Sequence, residues 1–189
     1  MRLFVALPFP AAVQNQIGTY CGSIETAFRP ARPSWVLPQN LHLTLHFFGE
    51  LEVEKAEELE NLLSDAANLC PPLRITTEGL SVLPAMNRPR VLYLAARIEP
   101  SEPLTILIDR IREIAAQLGA QTDARPWKAH LTLARLKLPY APNLSSLPKP
   151  PMLSLYIDSF ELLQSTLSPV GAIYSKIRRF ALYTDTSTL

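Results

Sequence analysis

Two histidine–threonine pairs carry the chemistry of this chain. The tetrapeptide His-Leu-Thr-Leu stands at His42–Leu45 and again at His130–Leu133. Each copy lies in a strand-like stretch, Leu41 to Phe48 and Ala129 to Ala134. Along a strand successive side chains alternate faces, so each histidine shares a face with the threonine two residues on, while the leucines turn into a core. Each copy therefore presents one imidazole and one hydroxyl. A neutral imidazole accepts a proton and an imidazolium donates one, and a free pKa of about 6.5 makes both forms accessible. Two histidines on opposite sides of a phosphorus atom can run an in-line displacement. One deprotonates the attacking hydroxyl or water while the other protonates the departing oxygen. The threonine hydroxyls can donate to the non-bridging oxygens, where charge builds. The scheme needs no metal and no cofactor, and its catalytic residues are His42, Thr44, His130 and Thr132.

The elements that must position these pairs repeat as well. The second motif lies 88 residues after the first, and the same offset carries Arg2-Leu3-Phe4-Val5-Ala6 onto Arg90-Val91-Leu92-Tyr93-Leu94. After each of these strands come a proline-marked break and a helical pattern. The first helix runs from about Ala11 to Phe28, with Val13, Ile17, Cys21 and Ile24 at helical spacing. The second starts near Pro103, a favourable first-turn residue, and places Leu104, Leu107, Ile108, Ile111, Ile114 and Leu118 on one face before Gly119 closes it. Each helix leads through a loop to its own His-Leu-Thr-Leu strand, which makes internal duplication the economical reading. Around this frame, Glu50 to Leu69 reads as an acidic amphipathic helix with Leu59, Leu62 and Leu63 as its stripe. Leu73 to Leu83, Met152 to Leu163 and Ile173 to Tyr183 read as strands, and Pro139 to Pro151 as a proline-rich surface loop. The expected fold class is α+β: two similar lobes of mostly antiparallel sheet around a central cleft, within one domain over residues 1–189.

Composition narrows the partners. With 48% hydrophobic and 19% charged residues the chain is globular, and its 18 prolines imply stiff loops. A net charge of +1 gives no global attraction for nucleic acid, so an anionic ligand must be held by a local cluster. Cys21 and Cys70 are far apart and form no CxxC, which favours a reducing compartment. The apolar start, Leu3 to Leu7, is interrupted by Pro8 and Pro10 and is followed by no small-residue cleavage site, so it reads as a buried strand rather than a signal peptide. No apolar run approaches the roughly 20 residues of a membrane span. A cytoplasmic protein without membrane association is expected.

With both motifs in their flanks, the chain resembles the two-histidine phosphoesterases, whose hallmark is a duplicated His-x-Thr-x. Within them it is most similar to the RNA 2′,3′-cyclic phosphodiesterases, formerly called 2′-5′ RNA ligases. The likeness spans nearly the whole chain: Arg2 to Leu7, Trp35 to Gly49, Arg88-Pro89-Arg90, Arg125 to Arg135, Phe160 to Ser165 and Ser168 to Tyr174. It implies a bilobal fold about a pseudo-twofold axis and hydrolysis of a 2′,3′-cyclic phosphate at an RNA end to a 2′-phosphate. It also implies His42 as proton donor to the leaving 3′ oxygen and His130 as the acceptor that activates water. RNA ends or cyclic nucleotides are the expected substrates. A cleft made by one chain needs no second subunit, so a monomer is expected. Relatives that act on other cyclic or 2′-5′-linked nucleotides, and a non-catalytic RNA-end binding module, are the competing readings.

Two basic residues are candidate substrate ligands. Arg135, five residues past His130, stands where the family carries an arginine near the phosphate, yet strict alternation puts it on the opposite face unless the strand ends or bulges first. Lys128 has the parity of His130. His46 has the parity of His42 but lies about 13 Å further along a strand, which makes it a rim residue. Its i, i+4 spacing from His42 would suit a metal only on a helix, and this segment alternates like a strand. Arg88 and Arg90 read as solvated charge, and Phe48 and Trp35 as core residues rather than base-stacking platforms.

Overall fold

The computed structural model describes residues 1–122, 125–168 and 171–183. Pro169 and Val170, inside the Ser168 to Tyr174 likeness, lie outside the described residues. In chain order the elements are β1 (Arg2–Pro8), α1 (Ala11–Phe28), β2 (Pro33–Trp35), β3 (His42–Glu50), α2 (Val53–Ala67), β4 (Leu73–Leu83), β5 (Val91–Glu99), α3 (Ser101–Gln117), β6 (His130–Leu136), β7 (Ser154–Ile157), β8 (Ser159–Ser168) and β9 (Gly171–Ala181). They form two antiparallel sheets, ordered β3-β1-β8-β9 and β2-β6-β5-β4-β7. Strand for strand, β3-β1-β8-β9 matches β6-β5-β4-β7. The units β1-α1-β3 and β5-α3-β6 are the two copies that the repeated sequence implies, and the fold is the expected α+β arrangement.

Local sequence accounts for most of these elements. Leu3 to Leu7 are all buried because β1 is central to its sheet and covered on both faces. Helix α1 has the bounds its periodicity indicates. Helix α3 begins two residues before Pro103 and buries Leu104, Leu107, Ile108, Ile111 and Ile114. It ends in a Schellman turn: Gly119 takes φ +67° and donates to the Ala116 carbonyl (3.1 Å), and Ala120 donates to that of Ala115 (2.8 Å). Helix α2 is shorter than the acidic stretch, because Glu50 completes β3; Leu59 and Leu63 are buried against β8, β9 and α3. Met152 to Leu163 is not one strand. The chain breaks at Asp158, whose carboxylate accepts from the Ser159 hydroxyl (3.0 Å) and Arg179 (2.7 Å). There it crosses from one sheet to the other, β7 pairing with β4 and β8 with β1. Apolar side chains from both sheets and all three helices join one contiguous core. No helix among the described residues is long and apolar enough to cross a membrane.

Each motif strand carries a bulge at the same place. In β3, Val5 pairs with His46 and Ala6 with Thr44, leaving Leu45 as the extra residue. In β6, Leu92 pairs with Ala134 and Tyr93 with Thr132, leaving Leu133 extra. Two consecutive residues, Leu45-His46 and Leu133-Ala134, therefore turn inward, and the faces exchange beyond them.

Candidate active site

His42 is set by the turn that precedes its strand. Pro38–Asn40 forms a 3₁₀ turn seated on α1, where Gly18 allows the close approach: a Cβ there would lie 2.9 Å from the Pro38 ring. The Asn40 side-chain amide donates to the Ala172 carbonyl (2.8 Å), tying the turn to β9. The Asn40 carbonyl then accepts from His42 Nδ1 (2.7 Å). A carbonyl can only accept, so Nδ1 carries the proton and Nε2 is left as the acceptor. The Thr44 hydroxyl donates to that Nε2 (3.1 Å). Phe4 packs against the imidazole with ring centroids 5.0 Å apart, and Tyr174 meets it edge-on at 5.3 Å. Burial pushes the His42 pKa below its ordinary value, the Asn40 carbonyl raises it in part, and the charge of His130 lowers it further.

His130 repeats the arrangement. Its Nδ1 donates to the Lys128 carbonyl (2.8 Å), again two residues earlier, and Tyr93 meets the ring edge-on at 5.7 Å. Strands β3 and β6 approach each other although they belong to different sheets, which places the two histidines within electrostatic reach.

The cleft has two unequal hollows. The larger, about 370 Å³, lies beside His42 and is lined by Thr44, Thr132, Arg2, Arg135, Phe47 and Tyr174 among others. The smaller, about 260 Å³, lies beside His130 and is walled mainly by Leu83, Tyr93, Ala95 and Ala96, with Lys128 at its edge. Two guanidiniums and four hydroxyls, those of Thr44, Thr132, Ser165 and Tyr174, thus gather on the His42 side. Burial raises the Tyr174 pKa while Arg135 and Arg2 oppose the rise, so its hydroxyl keeps its proton at neutral pH and can donate.

The structure brings His42, Thr44, Thr132 and Arg135 to one cavity and puts His130 and Lys128 on a second hollow. Arg135 reaches the cleft face because the bulge at Leu133 reverses its parity. The matching bulge at Leu45 in β3 corrects the expectation for His46. It is no rim residue but is buried, edge-on to Phe48 at 4.8 Å, with Nε2 donating to the Gln121 carbonyl (3.0 Å). Phe48 is core; Trp35 is half-buried against Phe28. Arg90 lies at the surface, donating to the Lys137 carbonyl (3.3 Å). Sequence reasoning missed Phe47, which takes the place in β3 that Arg135 takes in β6; the 88-residue offset was its signal. It also missed Arg2, whose guanidinium sits 5.0 Å over the Phe47 ring, and Tyr174. The Asn40 and Lys128 carbonyls had no sequence signal. Among the described residues no three His, Cys, Asp or Glu side chains gather to hold a metal ion.

Paired imidazoles across a cleft between duplicated lobes, with guanidiniums beside them, define the two-histidine phosphoesterase class. A family model for LigT-like phosphoesterases matches residues 7–93. An Archaeoglobus fulgidus RNA 2′,3′-cyclic phosphodiesterase is 31% identical, over 95% of this chain and 99% of that protein. The Escherichia coli RNA 2′,3′-cyclic phosphodiesterase is 31% identical over 96% of each chain. Among solved structures, Escherichia coli LigT complexed with 3′-AMP superposes with a TM-score of 0.81 at 29% identity, covering 97% of this chain and 98% of that one. The chain belongs to the LigT-like family of RNA 2′,3′-cyclic phosphodiesterases.

Proposed function

We propose that this protein hydrolyses 2′,3′-cyclic phosphates at RNA ends to 2′-phosphomonoesters, without a metal ion, as a cytoplasmic monomer. The observation that carries the reading is the matched pair of Nδ1–carbonyl bonds, which aims an Nε2 atom from each lobe at the cleft. The names of the relatives and the 3′-AMP complex of LigT support the substrate class.

The family likeness gives the roles, and the asymmetry of the hollows supports them. A nucleoside fits the larger hollow, with its ribose towards His42 and its base towards Phe47. As the family likeness implies, the 3′ oxygen then lies beside His42 and the water beside His130. His130 Nε2 takes a proton from water, whose oxygen attacks phosphorus as the bond to O3′ breaks. His42, protonated on Nε2, gives its proton to O3′, and the 2′-phosphate remains. Proton exchange with solvent resets the pair. Thr44 and Thr132 hydroxyls, Arg135 and Lys128 hold the non-bridging oxygens as charge builds on them. The low pKa of His42 keeps it neutral in the free protein, and an anionic phosphate beside it favours its protonation as substrate binds.

The test is incubation of EDTA-treated protein with a nucleoside 2′,3′-cyclic phosphate, resolving 2′- from 3′-monophosphate. A 2′-phosphate, lost in His42→Ala and in His130→Ala, is expected. A 3′-phosphate would reverse the assigned geometry, and retained turnover in either variant would remove the acid–base pair. The hollow beside His130 favours one second reading: an RNA hydroxyl could occupy the water position, giving 2′-5′-linked products by the same displacement. A binding module without chemistry would have no use for two imidazoles held in matched tautomers.

A further inference from the structure

The two half-sites hold their orienting carbonyls differently. On the first, the Asn40 carbonyl belongs to a 3₁₀ turn and is tied to β9 by the Asn40 side chain. On the second, the Lys128 carbonyl lies in the stretch 126–129, which has no regular structure and precedes β6. At its end the stretch is tied to β5 by the Ala96 N–H, which donates to the Ala129 carbonyl (3.4 Å). Beside Lys128 on the other side it is tied to the opposite motif by Trp127, half-buried against the core, whose indole Nε1 donates to the carbonyl of Thr44 (3.1 Å). Thr44 belongs to the other motif. The start of the same connection is also bonded to β3: Gln121 donates to the Phe48 carbonyl (3.1 Å) and accepts from His46 Nε2 (3.0 Å).

We propose that Trp127 is a positioning residue that locks the second half-site to the first: its indole N–H, held by the Thr44 carbonyl, fixes the Lys128 carbonyl that selects the His130 tautomer. The inference adds to the proposed reaction a residue that touches no substrate. A bond from one residue to the opposite motif, with the next residue's carbonyl on the catalytic ring, makes the spacing and orientation of the two imidazoles a single quantity. An aromatic ring of similar size without the N–H would fill the same space and lose the lock.

The test is Trp127→Phe, read by ¹⁵N NMR of the histidine side chains and by steady-state kinetics. A second variant carries benzothienylalanine at position 127, which keeps the bicyclic shape and replaces the N–H with sulfur. The expected result in both is a His130 ring that shifts from the Nδ1–H tautomer towards a mixture, with kcat lowered about tenfold, as misplaced catalytic groups cost, and KM within twofold. The tautomer is observed without substrate, so it tests the lock even if the proposed reaction fails. A His130 tautomer unchanged in the benzothienylalanine protein would overturn the inference. So would a shifted tautomer with unchanged kcat on a substrate that the parent protein turns over. Should Trp127→Phe fail to fold, the benzothienylalanine protein alone decides.

Discussion

Phe47 and Arg135 occupy the same position on the two halves of this protein. Each follows the bulge of its motif strand and faces the cleft, Phe47 opposite Phe4 in one sheet and Arg135 opposite Val91 in the other. The frame is symmetric and these two side chains are not. One offers an aromatic ring and the other a guanidinium, so the proposed direction of the nucleoside, with its base towards Phe47, rests on this difference. Arg135→Gln should raise KM for a cyclic nucleotide by about 10- to 100-fold, as expected for a lost charge-assisted bond of roughly 1.5–3 kcal/mol. Phe47→Leu should weaken binding by about tenfold, through lost base stacking of roughly 1–3 kcal/mol. Its effect should fade on a ribose 2′,3′-cyclic phosphate that lacks a base, whereas that of Arg135→Gln should persist. Equal loss on both substrates in Phe47→Leu would remove the assigned direction of the nucleoside.

The titration of His42 should respond to the charge of His130. Replacing His130 with Gln removes the charge that lowers His42, so the His42 midpoint followed by NMR should move up. It should stay below the free value, because burial is the larger cause of the depression and is untouched. A midpoint that stays still would mean the rings are too far apart to share one phosphorus atom.

The same shift has a consequence for stability. Because the folded His42 pKa lies below the unfolded value of about 6.5, the unfolded chain binds this proton first as pH falls. Above that value both states are neutral and His42 has no effect. Below it, stability falls until the depressed folded pKa is reached. His42→Gln should therefore flatten the slope of unfolding free energy against pH below about 6.5, measured by urea denaturation. A variant slope equal to the parent's would contradict the burial of a neutral ring.

Two glycines separate effects on the fold from effects on the site. Gly119→Ala places a side chain at φ +67° and should cost about 1–2 kcal/mol of stability with kcat unchanged. Gly18→Ala gains about 1 kcal/mol of helix propensity but drives a Cβ to 2.9 Å from Pro38, displacing the turn that carries the Asn40 carbonyl. Its stability should move little while kcat drops several-fold. Denaturation curves paired with turnover measure both. A Gly18→Ala protein with full kcat would show that the turn does not set His42.

The sequence by itself determined the motifs, the duplicated frame and most elements. Apolar periodicity is local: α1, β4 and the buried face of α3 can be read from spacing, since helix and strand repeats differ in period. The 88-residue offset exposed the duplication of the unit β1-α1-β3 as β5-α3-β6. What only the tertiary structure decided depends on a partner strand or on backbone atoms. A bulge is a mismatch in register between two strands, invisible in either alone, and it sent His46 into the core and Arg135 to the cleft against simple alternation. The break at Asp158 exists because β7 and β8 join different sheets, and their shared strand-like composition hides it. The carbonyls of Asn40 and Lys128 are common to every residue type, so no side chain announces them. Their direction, which fixes where each imidazole keeps its proton, is set by what the turn and Trp127 pack against.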